Sequence, residues 1–261
     1  MKKLISFRIK ADKGLLKKPD INDGMYLTYN MLHKPAILGI LGAIAGLEGY
    51  KKNQELPEYY MVLRDVPIGV RPLGDEKGNF QKTIITYNNT TGFASEEAGG
   101  NLMVTEQTLI KPSYEVFVLL DIDDEIQKKL YSNILNQEAE YLPYLGKNDY
   151  SLWWDKSEVN DYSWQKISAQ ETAVRLQSIF NKRKNTVREM EEEEMISDDL
   201  FDTTDLLQPD SFYYFEHLPL GFNEKLYQYE YGDFSYTNVK LNVSKLSNIY
   251  CLNNELFIQM N

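Results

Sequence analysis

Chemistry-bearing side chains are few in this 261-residue chain: His33 and His217 are its only imidazoles, and Cys251 is its only thiol. Neither histidine stands in a nucleophile or metal motif, and the three together cannot build a zinc site of the usual kind. No catalytic residue, metal or cofactor is therefore expected. The carboxylates of Glu96-Glu97 and Glu191 to Glu194 are contiguous, a pattern better suited to a hydrated face than to an acid/base pair. What stands out is a mixture of cations, rings and amides in predicted loops. It comprises Tyr29, His33 and Lys34, then Arg64, Arg71, and Asn101, Thr105, Gln107 and Lys111. Tyr144, Gly146, Lys147 and Asn148 complete it. Single-stranded RNA is held by such a mixture, with cations on phosphates, rings on bases and polar groups on base edges.

The first of these residues adjoin the stretch that organises the chain, His33 to Tyr50. Ala36 to Leu47 is an apolar run of helix formers broken only by Gly39, Gly42 and Gly46. A glycine inside a helix costs about 1 kcal/mol relative to alanine, and these spacings put all three on nearly one face. That face should approach something closely, as a packed core helix or against a ligand. Pro35 suits the first helical position. The free N–H groups of the first turn, beside His33 and Lys34, would make an anion seat. Twelve residues cannot span a bilayer, and the glycines fit neither G-x-G-x-x-G nor the P-loop pattern.

Leu4 to Lys10 alternates, with Ile5, Phe7 and Ile9 on one side, and predicts a half-buried strand. Gly14, Pro19 and Gly24 mark turns before the glycine helix. Tyr59 to Val66 reads as a second strand ending at Pro67. Residues 68–110 read as an inserted hairpin, with Thr83 to Tyr87 and Leu102 to Leu109 as its strands and a polar tip between them. Tyr114 to Leu120 is a third strand. The following helix is capped by Asp121 or Asp123 and carries Ile122, Ile126, Leu130 and Ile134 as its stripe. A strand near Tyr150 to Trp154 closes the series. Strand, helix, strand, strand, helix, strand is the split βαβ order of the ferredoxin-like fold that RRM domains share. The chain thus reads as α+β: a ferredoxin-like domain over 1–155 with the inserted hairpin, a helical and acidic connector over 156–210, and a mostly antiparallel β part over 211–261. Ser168 to Glu171 matches a capping box. Tyr227, Tyr229 and Tyr231, then Val239, Leu241 and Val243, alternate as strands do.

Charge divides the chain. The net is -11, yet residues 1–52 carry ten Lys/Arg against four Asp/Glu. Residues 186–205 carry nine acids and Arg188 alone, as a solvated connector or a partner-binding surface. A basic end and an acidic segment fit a subunit with two kinds of neighbour. A single cysteine suits a reducing compartment, and Arg8, Lys10 and Asp12 interrupt what opens like a signal peptide. The expected location is the cytoplasm, without a membrane partner.

Three stretches taken together resemble the fifth family of CRISPR-associated proteins, RAMP-superfamily subunits of type I Cascade complexes. They are LHKPAILGILGAIAGL at 32–47, VTEQTLIKPSYEVFVLL at 104–120 and YLPYLGKNDYSL at 141–152; FEHLPLGF at 215–222 is similar more loosely to type I-B members. The resemblance covers the N-terminal 155 residues. It implies a non-enzymatic subunit that grips the 5′ handle of the CRISPR RNA, caps the backbone-subunit filament and contacts the large PAM-recognising subunit, meeting target DNA through the complex. It makes the hairpin a thumb over the guide, with Thr105, Gln107 and Lys111 at its base. Lys34 and the helix start would seat handle phosphate. Gly146 would allow close backbone approach, and Lys147 and Asn148 would touch RNA. Type I-C members cleave precursor RNA with a tyrosine, lysine and histidine cluster. Tyr29, His33 and Lys34 supply those residue types for a metal-independent endoribonuclease as the alternative.

Overall fold

The computed structural model describes residues 1–19, 24–52, 55–74, 77–89, 102–167, 173–182, 200–201 and 208–261. Asn101, the hairpin tip, the capping-box sequence at 168–171 and nearly all of the acidic run lie outside the described residues. In chain order the first strands are β1 (Lys2–Ala11), β2 (Lys13–Gly14), β3 (Leu16–Lys17) and β4 (Thr28–Tyr29). Helices α1 (Lys34–Ala45) and α2 (Glu58–Leu63) precede β5 (Ile68–Leu73), β6 (Lys82–Asn89), β7 (Leu102–Ile110) and β8 (Ser113–Asp121). After α3 (Glu125–Asn136) come β9 (Leu152–Trp153), β10 (Asn160–Tyr162), β11 (Trp164–Lys166), β12 (Ala173–Val174) and β13 (Phe180–Asn181). The chain ends with β14 (Tyr213–Asn223), β15 (Gln228–Thr237), β16 (Leu241–Asn242), β17 (Ile249–Leu252) and β18 (Leu256–Gln259). The described fold is thus mostly antiparallel sheet with few helices, none long and apolar enough to cross a membrane.

The central sheet has the order β10-β1-β8-β5, antiparallel throughout, with β9 also pairing β1. Ile5, Phe7 and Ile9 of β1 and Tyr114, Val116 and Val118 of β8 face the helices, in one core with Ile37, Leu41, Leu130 and Ile134. The opposite face is covered as well. Leu4, Phe117 and Leu119 pack against Tyr250, Leu252, Ile258 and Met260 from the C-terminal strands, so β1 is buried on both sides rather than on one.

Two local readings are corrected. Tyr59 to Val66 is not a strand: Glu58–Leu63 is helical, with Pro57 at its N-cap and Glu58 in its first turn, and the second sheet strand is β5. Helix α3 is capped by Asp124, whose carboxylate accepts from Gln127 N–H at 2.8 Å, not by Asp121 or Asp123.

Helix α1 starts at Lys34 with Pro35 in its first turn, and Gly46 ends it in the left-handed conformation with φ 84°. Its glycine face receives the Tyr59 side chain of α2. A Cβ on Gly42 would lie 2.4 Å from Tyr59 Cβ, whereas one on Gly39 would stand 3.7 Å from the ring. The close approach that the glycines permit is therefore core packing. Gly42→Ala should destabilise by about 1–3 kcal/mol by pushing α2 off α1. Gly39→Ala should stabilise by up to about 1 kcal/mol through helix propensity. Urea midpoints moving in opposite directions would establish this; a shared sign would refute it.

Candidate nucleic-acid interface

Strands β6 and β7 form an antiparallel ribbon, with Lys82 opposite Leu109 and Asn89 opposite Leu102. The ribbon joins the body through β2, where Lys13 pairs Ile110, and through the bridge from Tyr26 to Glu106. Strict alternation gives it two unlike faces. Ile84, Thr86 and Asn88 point outward across from Gln107, Thr105 and Met103, and Ile84 and Met103 are 63% and 60% exposed. Thr86 and Thr105 bring their hydroxyls to 3.1 Å. Gln107 turns its amide oxygen toward Thr28 N–H at 3.5 Å and bonds Tyr26 through its backbone. The inward face carries Tyr87 and Glu106.

Around the base of this ribbon stand Lys13, Lys17 and Lys18 from the basic N-terminal end, together with Lys82 and Lys111. Lys13 and Lys111 are exposed there, the latter at φ 47° with its N–H on Asp12 O. Lys17 covers the Tyr26 ring at 3.6 Å and Lys18 the Tyr29 ring at 5.0 Å. Lys82 donates to Asn30 Oδ1 at 3.0 Å, and burial lowers its pKa. Of these cations, sequence reasoning named Lys111 alone. The basic excess over residues 1–52 was the available signal for Lys13, Lys17 and Lys18, and nothing in the sequence marked Lys82.

Lys147 is placed beside the same ribbon but is not free to take a phosphate. Its Nζ meets Glu106 Oε1 at 3.2 Å and Tyr87 Oη at 3.0 Å. Burial disfavours its charge, but the Tyr87 and Glu106 hydrogen bonds outweigh it and raise its pKa. Glu106, 1% exposed, also accepts from Tyr150 Oη at 2.6 Å. Gly146 permits a close backbone approach, but the neighbour is this chain's own Leu15: an added Cβ would lie 1.8 Å from Leu15 O. Tyr144 and Asn148 are exposed on the same loop.

The Ala36 N–H of the expected anion seat in the first turn of α1, and the N–H groups just before the helix, are likewise engaged from within. Asn30 and Met31 N–H each donate to the Glu216 carboxylate at 2.9 Å, and Lys18 stands 3.9 Å from it. Ala36 N–H is taken by His33, through its carbonyl at 3.1 Å and its Nδ1 at 3.3 Å. Lys34 Nζ donates to Asn261 O at 3.0 Å, and burial pulls its pKa down to about 8. The space beside it is about 20 Å³, enough for about one water and too small for a phosphate. No sequence signal marked Glu216, which lies 186 residues from Asn30.

His33 is 6% exposed and packed edge-on against Tyr29 and Tyr229. Burial lowers its pKa to about 3. A depressed folded pKa contributes stability that is complete above the unfolded value near 6.5 and is lost as pH falls toward 3. Between pH 7.5 and 5 the wild type should therefore lose about 2 kcal/mol that His33→Ala does not lose. Urea midpoints at both pH values measure this, and equal losses would contradict it.

Arg64 and Arg71 lie elsewhere. Arg64, after α2, pairs with Glu224. Arg71 pairs with buried Glu115 on the sheet face opposite the helices, where Ser6 also donates to Glu115 at 2.8 Å. The structure therefore gathers Tyr29, Thr105, Gln107, Lys111, Gly146 and Lys147 near the ribbon base and leaves both arginines outside. Among the described residues no group of His, Cys, Asp and Glu is arranged to hold a metal.

No protein-family model matches the sequence, and no curated protein matches it. Solved structures do. One is a chain of a CRISPR RNA-guided surveillance complex, at 13% identity and TM-score 0.47, covering 93% of each chain. A CRISPR protein from Archaeoglobus fulgidus has 11% identity and TM-score 0.45, covering 92% of this chain and 90% of its own. A chain of a type III-B Cmr-beta complex bound to cognate target RNA has 11% identity and TM-score 0.45, covering 94% and 95%. At these values the function has to be argued from the residues.

Proposed function

We propose that this chain is a non-catalytic, RNA-binding subunit of a CRISPR type I effector complex, of the type I-B kind, working in the cytoplasm. In this reading it holds the 5′ handle of the CRISPR RNA, caps the backbone-subunit filament and meets the large PAM-recognising subunit. The observation that carries it is the set of cations at the ribbon base, Lys13, Lys17, Lys18, Lys82 and Lys111, with the partly exposed ring of Tyr26 among them. Cations engage phosphate without regard to sequence, and guide RNA is held by backbone and shape while pairing reads the target. The sheet order β10-β1-β8-β5 supports a ferredoxin-like core, being the fourth, first, third and second strands of a split βαβ unit. The β6–β7 ribbon, inserted between the second and third of these strands, is the proposed thumb. Cleavage fits less well. A general acid must reach its proton near working pH, and His33 is buried with its Nδ1 on Ala36 N–H.

Purification of the protein with its bound RNA, followed by sequencing of the RNA 5′ ends, should return one shared repeat-derived end. Ends without a common sequence would sink the reading. Lys13→Glu with Lys111→Glu should weaken handle binding at least tenfold and flatten the dependence of log affinity on log salt by about 1–2. Unchanged affinity and slope would remove the ribbon base from the interface.

A further inference from the structure

From the outer face of the β14–β15 ribbon we infer a second RNA site, a stacking platform for single-stranded bases. The inference rests on the RNA-binding reading above. In β14, Leu218 turns into the core and Glu216 turns to the segment before α1. Tyr213, Phe215 and His217 therefore share the opposite face, two residues apart. Phe215 is 55% exposed, and 62% of the His217 side chain meets solvent. Water disfavours the exposure of such rings, and nothing in the hydrophobic core requires it.

These rings are held in place before any ligand arrives. His217 lies flat on Tyr231 with centroids 4.8 Å apart and planes 12° apart, and its Nδ1 is 2.8 Å from Asp233 Oδ1. Tyr213 and Phe215 are parallel within 10° at 6.3 Å. Lys182 Nζ stands 3.9 Å from the Phe215 centroid. Fixed rings beside a cation suit bases whose phosphates pass close by. Asp233, whose carboxylate acts on Lys182, is engaged by His217. The platform is anchored to the segment that precedes α1. Tyr231 Oη is 3.5 Å from Tyr29 Oη, and Glu216, on the other face of the same strand, binds Asn30 and Met31.

The test is fluorescence anisotropy of the full chain with a labelled oligouridine RNA. Phe215→Leu with His217→Leu keeps an apolar surface but removes both π faces. It should weaken binding at least tenfold with the salt slope unchanged, while Phe215→Trp retains wild-type affinity. Lys182→Gln should flatten the salt slope by about 1. Both substituted side chains are more than half exposed and their contacts are to surface groups, so the unfolding midpoint should move only slightly, separating lost stacking from lost folding. Wild-type affinity in the double leucine variant would overturn the platform, and the surface would then suit an apolar protein partner. If Lys13→Glu with Lys111→Glu still weakened binding in that case, the RNA-binding reading would survive. Absence of oligouridine binding by every form would overturn both.

Discussion

Gly146→Ala should unfold this protein more readily than any other single methyl addition considered above. The residue has φ 82°, and a Cβ there would lie 1.8 Å from Leu15 O and 2.7 Å from Leu15 C. A non-glycine residue in the left-handed region stores about 1–3 kcal/mol of strain. Here a backbone overlap is added that no side-chain rotation relieves. Leu15 N–H donates to Leu145 O at 3.1 Å, so moving either strand also breaks a hydrogen bond. A loss of about 3 kcal/mol or more is expected, which for a chain of this size lowers Tm by about 6–12 °C. Gly49→Ala is the control: nothing stands within 4 Å of a Cβ there, and its effect should stay within about 0.5 kcal/mol. A thermal melt of Gly146→Ala matching that of Gly49→Ala would show that the loop does not close on Leu15 as described.

Lys147→Ala is expected to cost about 2–4 kcal/mol, because it strands a carboxylate that has almost no solvent. The figure is set below the range for a fully dry pair, since 26% of the Lys147 side chain is exposed against 2% for Glu106. Tyr150 and Tyr87 hydroxyls still reach Glu106 at 2.6 Å and 3.4 Å in the variant, so the carboxylate keeps part of its satisfaction. The sign with pH follows from the raised pKa of Lys147. Its contribution is complete below the unfolded value near 10.4 and is lost only as pH rises through the higher folded value. The cost should accordingly be the same at pH 6 and pH 9. Glu106→Gln should recover part of the loss in the double variant. Full additivity of the two substitutions in urea melts would mean that they do not form a pair.

Much of the local structure was legible from residue order. Alternation over Ile5, Phe7 and Ile9 marked β1, the dense branched and aromatic run marked β8, and Pro35 and Gly46 bracket α1 because capping is decided within a few residues. The ribbon strands were legible for the same reason. Glu58–Leu63 was not. Its Tyr-Tyr-Met-Val-Leu composition favours a strand, and that weak preference yields to the packing of Tyr59 on Gly42. That contact joins residues on different helices, so no local window contains it.

The candidate interface divides along the same line. Residue types and their ordering along the chain were enough to mark residues 1–52 as a basic end and to pick out loops in which cations and rings stand together. Which of those cations remain available is a matter of through-space pairing. Lys147 is claimed by Glu106, 41 residues away, Arg71 by Glu115, and the N–H groups of Asn30 and Met31 by Glu216. Lys13 and Lys111 stand exposed at the surface. An ion pair forms between whichever opposite charges folding brings within a few ångströms, and separation along the chain carries no trace of that distance.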